Sequence, residues 1–281
     1  MSGTRYFQNF PTIPYQFGSG ESPVKFQNLS VYIDAFDQVK EIRSFYQNYF
    51  IGEGQRPDQL SYDLYGTTDY YWTFFLINDH LRTSGWPLAS SSVYPKSKEY
   101  YPNVVITTDG TSFNNSTGDL VPLCRSETFA SGTWVYLSTV KKAVKVMRIN
   151  QDLGQIYLQM STPPTNEGVI HTITQEDAEI VNNVNPNYLP SFVDTTNVHN
   201  VLPQYDAIHH YEDAEGNWVN PSNNSTAPYS FIWSSVSSAQ SVSYFQRLRE
   251  INLANRAISV LKPDTVIQVV GEFNQLLKNR R

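Results

Sequence analysis

Charge is scarce in this chain of 281 residues: Lys, Arg, Asp and Glu make up 16% of it, and they balance at −6. Without an overall basic field nothing draws nucleic acid across the surface, so nucleic-acid binding is not expected. Cysteine is rarer still. The single Cys124 excludes an intramolecular disulfide framework, so packing must hold the fold, as suits a protein assembled in a reducing cytosol. Long apolar runs are missing as well, and no stretch approaches the length of a membrane span. The opening residues MSGTRYFQNFPTIPY are interrupted by Pro11 and Pro14 and do not read as a signal peptide.

The signatures of catalysis are absent too. There is no Gly-x-Ser-x-Gly elbow, His-Glu-x-x-His helix, Walker loop or Gly-rich dinucleotide turn. Cys124, in Val-Pro-Leu-Cys, reads as a core residue and not a nucleophile. Adjacent His209 and His210, with Glu212 and Asp213 close by, form the best metal candidate. On a strand, however, neighbouring side chains point to opposite faces and cannot both grip one ion, and the spacing lacks a known ligand pattern. The expectation is a non-enzyme with no catalytic residue, cofactor, metal or small-molecule substrate.

What the chain has in quantity is aromatic side chains, 14% of residues with 19 tyrosines. Tyrosine joins a large apolar area to a polar tip, which suits a protein that buries surface against partners, and suits a carbohydrate binder equally well. The densest stretch is 45–86, FYQNYFIGEGQRPDQLSYDLYGTTDYYWTFFLINDHLRTSGW. A strand-like run over 45–51 is broken by Gly52 and Gly54. Arg56-Pro57-Asp58 then starts a helix with Pro57 at its first position. Leu60, Leu64 and Tyr65 share a helical face, and Gly66 is the expected left-handed stop. A second helix begins near Thr68, carries Tyr71, Trp72, Phe75 and Leu76, and ends near Asn78. Gly85-Trp86-Pro87 closes the stretch. Strand, helix, glycine, helix ending on Asn, then a second strand is the layout of a LysM module.

The wording RPDQLSYDLYGTTDYYWTFFLIND resembles the LysM-like core of a contractile-tail phage baseplate wedge protein, the gene-product-fifty-three family of the T-even phages. PTIPY at 11–15, VYIDAFDQVKEIRSFYQNYFI at 31–51 and LREINLANRAISVLKP at 248–263 resemble the same family in the same order. The resemblance implies a structural protein of the virion's tail baseplate, assembled in the host cytoplasm. It would bind neighbouring wedge proteins and join adjacent wedges around the hub. Position in the matching motif nominates Tyr65, Tyr70, Trp72 and Trp86 as interface anchors, joined by Phe10 and Tyr15 in the N-terminal segment and Phe273 near the C-terminus. The competing reading is a glycan-binding module whose aromatic helices stack on peptidoglycan.

Around this core the expected fold is α+β. Residues 1–30 read as an extended arm with little regular structure, too rich in Tyr6, Phe7, Phe10, Ile13, Tyr15 and Phe17 for a solvated tail. Residues 31–103 form the core domain, opening on a stretch at 31–47 whose near-3.6 spacing admits a helix and whose residue types admit a strand. Within it, 88–103 reads as a loop. Residues 104–205 read as an inserted antiparallel β domain, a barrel or sandwich, with short strands at 120–124, 133–139, 143–149, 156–160 and 169–173. Residues 176–205, rich in Asn and Pro, read as irregular. Residues 206–281 supply a hairpin around Glu212–Asn217, a β-prone run at 257–261, and a terminal amphipathic helix with Val266, Ile267, Val270, Phe273, Leu276 and Leu277 on one face, packing back on the core.

Overall fold

The structure, a computed structural model, describes residues 12–20, 22–27, 45–108, 111–113, 120–122, 129–151, 153–165, 167–219 and 240–279. Phe10, Cys124 and most of the 31–47 stretch lie outside them. Helices and antiparallel strands are both present, so the fold is α+β. The chain forms two compact units, residues 1–92 with 249–281, and residues 93–248. The second unit is thus an insertion into the sequence of the first. It is wider than the expected 104–205 and takes in the hairpin that the sequence reading places with the C-terminal segment.

In the first unit, strands β1 (Thr12–Tyr15) and β2 (Val24–Gln27) pair antiparallel, Thr12 opposite Gln27. The described part of the expected irregular arm therefore contains a hairpin. Its reversal runs through Gly20, whose φ of 105° a side chain would resist. Strand β3 (Tyr46–Phe50) pairs antiparallel with a strand from the far end of the chain, Ala257–Leu261. Helix α1 (Pro57–Tyr65) starts on Pro57, carries Asp58 in its first turn and stops at Gly66, left-handed at φ 72° with its N–H on the Tyr62 carbonyl. The second helix is divided. A 3-10 turn, Thr68–Tyr70, is capped by the Thr67 hydroxyl, which accepts from the Asp69 N–H. Helix α2 (Trp72–Ile77) follows and ends at Asn78.

No strand comes next, which departs from the LysM order. Helices α3 (Asp79–Ser84) and α4 (Ser90–Tyr100) follow instead. The expected loop at 88–103 is mostly helix despite Pro95, which removes one N–H from the ladder. Val93 and Ser97 turn inward from that helix, and the Ser97 hydroxyl donates to the Tyr94 carbonyl at 2.7 Å. The strand that closes the βαα unit is Ala257–Leu261. Asn78 makes that closure: its side-chain amide donates to the Phe74 and Ser259 carbonyls, both at 2.8 Å, and accepts from the Ser259 N–H at 2.8 Å. A terminal helix, Val266–Asn279, turns Val266, Val269, Val270 and Phe273 onto Trp72, Leu76 and Leu261. Ile267, expected on that face, lies about 100° away from Val266 on the helical wheel and is exposed. A second cluster of Ile51, Leu60, Phe74, Leu81, Ile258 and Val260 fills the rest of the unit.

The second unit is built on a closed six-stranded antiparallel barrel. Its strands are β4 (Val104–Thr108), β7 (Trp134–Leu137), β8 (Lys142–Asn150), β9 (Gln155–Leu158), β10 (Val169–Ile173) and β11 (Asp194–Pro203). The expected strand at 120–124 is not in the barrel: Leu120–Pro122, β6, pairs with Thr111–Phe113, β5. Its place is taken by β11, inside the stretch expected to be irregular. Strand β8 pairs over its first half with β7 and over its second half with β9, with a register shift between Val146 and Arg148. Such a bulge bends a strand and lets it turn a barrel corner. Ile106, Phe129, Val135, Leu137, Val146, Ile156, Leu158 and Ile170 fill the interior. Between β10 and β11 a short helix, Gln175–Glu179, starts where the Thr174 hydroxyl accepts from the Asp177 N–H, and runs on as one π turn, Ile180–Val184. Three short strands, β12 (Ile208–Glu212), β13 (Trp218–Val219) and β14 (Gln240–Ser243), form a separate sheet ahead of helix Tyr244–Ala254.

Candidate interaction surfaces

The N-terminal hairpin shows apolar side chains to solvent along its length. Every described side chain in it is exposed, Tyr15 to 54% and Phe17 to 66%, with Ile13, Val24 and Phe26 beside them. The rings touch one another: Tyr15–Phe17 at 5.0 Å, Phe17–Phe26 at 5.4 Å and Tyr15–Phe26 at 6.1 Å, all edge-to-face. A lone two-stranded hairpin is marginal in water, and all three rings stay exposed.

The motif aromatics divide differently from the expectation. Trp72 and Phe273 are core: they are 8% and 2% exposed and meet at 5.3 Å. Helix α2 lies between two apolar clusters, Trp72 and Leu76 serving one and Phe74 the other, so its side chains are consumed by folding. Tyr65 is half-buried and donates its hydroxyl to the Leu261 carbonyl at 3.0 Å, and burial pushes its phenol well above the usual range. Tyr70 stands edge-on to Tyr65 at 6.0 Å. Trp86 is half-buried on Phe74 and Phe75, with its indole N–H on the Gln55 carbonyl at 2.7 Å. Tyr15 is the one nominated residue that the described surface presents openly.

Three exposed aromatics of the same region were not nominated: Phe50, Tyr62 and Tyr71. Helical spacing could have found Tyr62, because Leu60, Ser61 and Leu64 occupy the inner face of α1 and leave it outside. A depression of about 520 Å³ in this unit is lined by Asn48, Tyr49, Asn78, Asp79, His80 and Ile258 among others, and neither Tyr62 nor Tyr71 reaches it.

Residues 18–115 match the family model described as base plate wedge protein 53. Over that stretch the chain is similar to the base plate wedge protein 53 family. The match contains the RPDQLSYDLYGTTDYYWTFFLIND wording on which the resemblance rests, and it runs from the hairpin turn through α1–α4 into the first barrel strand. The family is one of structural wedge proteins of the phage base plate. No curated protein matches the chain significantly. Among the described residues no helix is long and apolar enough to cross a membrane.

The part of the chain beyond the match adds two features. Val184, Leu189, Phe192 and Val193 stand exposed on the segment that leads into β11, with Phe192 stacked on His171 at 3.7 Å. The second feature is the histidine pair. Strand geometry predicts that His209 and His210 point apart, but a register shift between Ile208 and His210 interrupts the pairing with β14. The two rings instead meet Nδ1 to Nδ1 at 2.8 Å. The bulge overrides the strand's alternation. Burial first, then His210 and the guanidiniums of Arg247 and Arg148, hold the His209 pKa down to about 4. The same positive charges oppose a bound cation, and among the described residues no three His, Cys, Asp or Glu side chains gather as a metal site.

Proposed function

We propose that this chain is an assembly subunit of a contractile-tail baseplate wedge, located in the virion and put together in the host cytoplasm. It docks exposed aromatic side chains onto neighbouring wedge proteins and so joins adjacent wedges around the hub. The observation that carries the reading is the hairpin of residues 12–27, whose Tyr15, Phe17 and Phe26 are held together yet exposed. Each square ångström of apolar surface removed from water on docking contributes about 25 cal/mol, and a few aromatic anchors carry most of the affinity of such an interface. Phe50, Tyr62 and Tyr71 offer a further surface in the first unit. No chemical step is required of the chain.

The test is co-expression of the tagged full-length protein with the products of its neighbouring tail genes, alongside a triple variant, Tyr15→Ser, Phe17→Ser and Phe26→Ser. The wild type is expected to co-purify with wedge partners. The variant should keep the wild-type melting curve and lose at least about tenfold in affinity, since a single anchor is worth about 2 kcal/mol or more. Undiminished co-purification of the variant would remove the hairpin from the interface. Sedimentation of the wild type with peptidoglycan, without any protein partner, would overturn the assembly reading.

A further inference from the structure

Beneath the sheet of β12, β13 and β14 lies a directional hydrogen-bond chain. The Arg148 guanidinium of β8 donates to the Tyr244 hydroxyl at 2.8 Å, and the Tyr157 hydroxyl of β9 donates to Gln155 Oε1 at 2.7 Å. Tyr157 has one proton and spends it on Gln155, so the 2.7 Å contact between the two hydroxyls has Tyr244 as its donor. Gln155 Nε2 then donates to the Ile208 carbonyl at 2.9 Å. The chain ends on the residue that precedes the histidine pair.

Above it the pair itself admits only one proton between its rings. At 2.8 Å one Nδ1 must donate and the other accept, and two N–H groups cannot face each other there. On the far side of its ring His210 reaches Glu212 through Nε2 at 2.7 Å, and it lies 6% exposed with Trp218 stacked on it at 4.1 Å. His209 stands edge-on to Tyr244 at 4.7 Å and to Trp218 at 5.4 Å. Among the described residues, the groups around the pair are Arg148, Tyr157 and Gln155 from the barrel, Tyr244 and Arg247 from the helix after β14, and Glu212 and Trp218 from the sheet. Strand β14, of sequence QSVS, brings no titratable side chain, and Tyr101 packs on Tyr244 from behind at 4.8 Å.

We propose that His209 and His210 form an acid-released latch, closed while the rings share one proton and opened when a second proton drives them apart, freeing the Trp218 hairpin from the tyrosine network beneath. The proton balance follows from the N–H groups: the neutral closed pair carries two, one between the rings and one toward Glu212, so opening takes up two protons from solvent and leaves each imidazole with two N–H groups, which water then satisfies. Burial first, and then the positive surroundings, set where this happens. His209 is held at about 4 in the fold against 6.5 for an ordinary histidine, so between those values the open or unfolded state binds more protons. The latch is fully closed above about pH 6.5, weakens as pH falls, and is open by about pH 4.

The full-length protein titrated from pH 8 to 4 tests this, with tryptophan fluorescence and near-ultraviolet dichroism as readouts and Trp218→Phe to assign the signal. The wild type should show one reversible transition between about pH 6.5 and 4, with secondary structure retained, and His209→Gln should lose it. A transition that persists unchanged in His209→Gln, or its absence in the wild type down to pH 4, contradicts the latch. Imidazole NMR of the wild type keeps the question decidable if the variant does not fold. The latch predicts that one of the two rings stays unprotonated well below 6.5. Two independent titrations near the ordinary value would overturn it.

Discussion

Asn78 shows what one side chain can decide. Its amide occupies the Ser259 N–H and carbonyl, main-chain groups of the closing strand, and also ties back to its own helix at Phe74. Asn78→Ala strips partners from two main-chain groups of a half-buried strand. It should cost about 2–3 kcal/mol, read as a lower urea midpoint at unchanged slope. Phe74 and Tyr62 make a sharper contrast, because both belong to the aromatic stretch and the sequence weights them alike. Phe74 is fully buried and Tyr62 is 61% exposed. Phe74→Ala should therefore cost about 3–5 kcal/mol, while Tyr62→Ala should stay within about 0.5 kcal/mol in the free protein. Residue-level signals were legible where local chemistry acts alone, as with Pro57 opening a helix and Gly66 ending one. Burial was not, because Trp72 is covered by a helix some two hundred residues away in the sequence, and no local pattern around Trp72 records that.

Elements were legible in proportion to how much of their reason is local. Four of the five β-prone runs of the insertion, all but 120–124, became barrel strands because paired, buried strands keep their apolar alternation. Strand β11, DTTNVHNVLP, lacks that signal: half of its side chains are exposed and the others only half-buried, and main-chain pairing with β10 and β4 makes it a strand. Helix Ser90–Tyr100 was hidden by Pro95, whose usual meaning is a helix end. At the helix after β14, the Tyr157–Tyr244 hydroxyl pair ties that element to β9. Tyr157→Phe leaves the Tyr244 proton and Gln155 Oε1 without their partner, and Tyr244→Phe leaves Arg148 Nη2 without its acceptor. Each should cost about 1–3 kcal/mol. A double-mutant cycle by chemical denaturation should give a coupling of about 0.5 kcal/mol or more, whereas strict additivity would mean that the hydroxyls do not act together.

For the whole molecule, one unit is built from both ends of the chain and the other from the stretch between. This is why the linear LysM layout is not found in chain order: the strand that completes β3 comes from Ala257–Leu261, after the entire inserted unit. The family match covers the hairpin turn, the aromatic helices and the first barrel strand. The central claim is that the hairpin of residues 12–27 is a contact made in the assembled wedge. It is tested most directly by placing a photo-cross-linking phenylalanine at Phe17, which is 66% exposed, and irradiating assembled baseplates. The account predicts a cross-linked product with another baseplate protein or a second copy of this chain, identified by mass spectrometry. Particles that incorporate the labelled chain, yet yield cross-links only within the same chain or none at all, would contradict it.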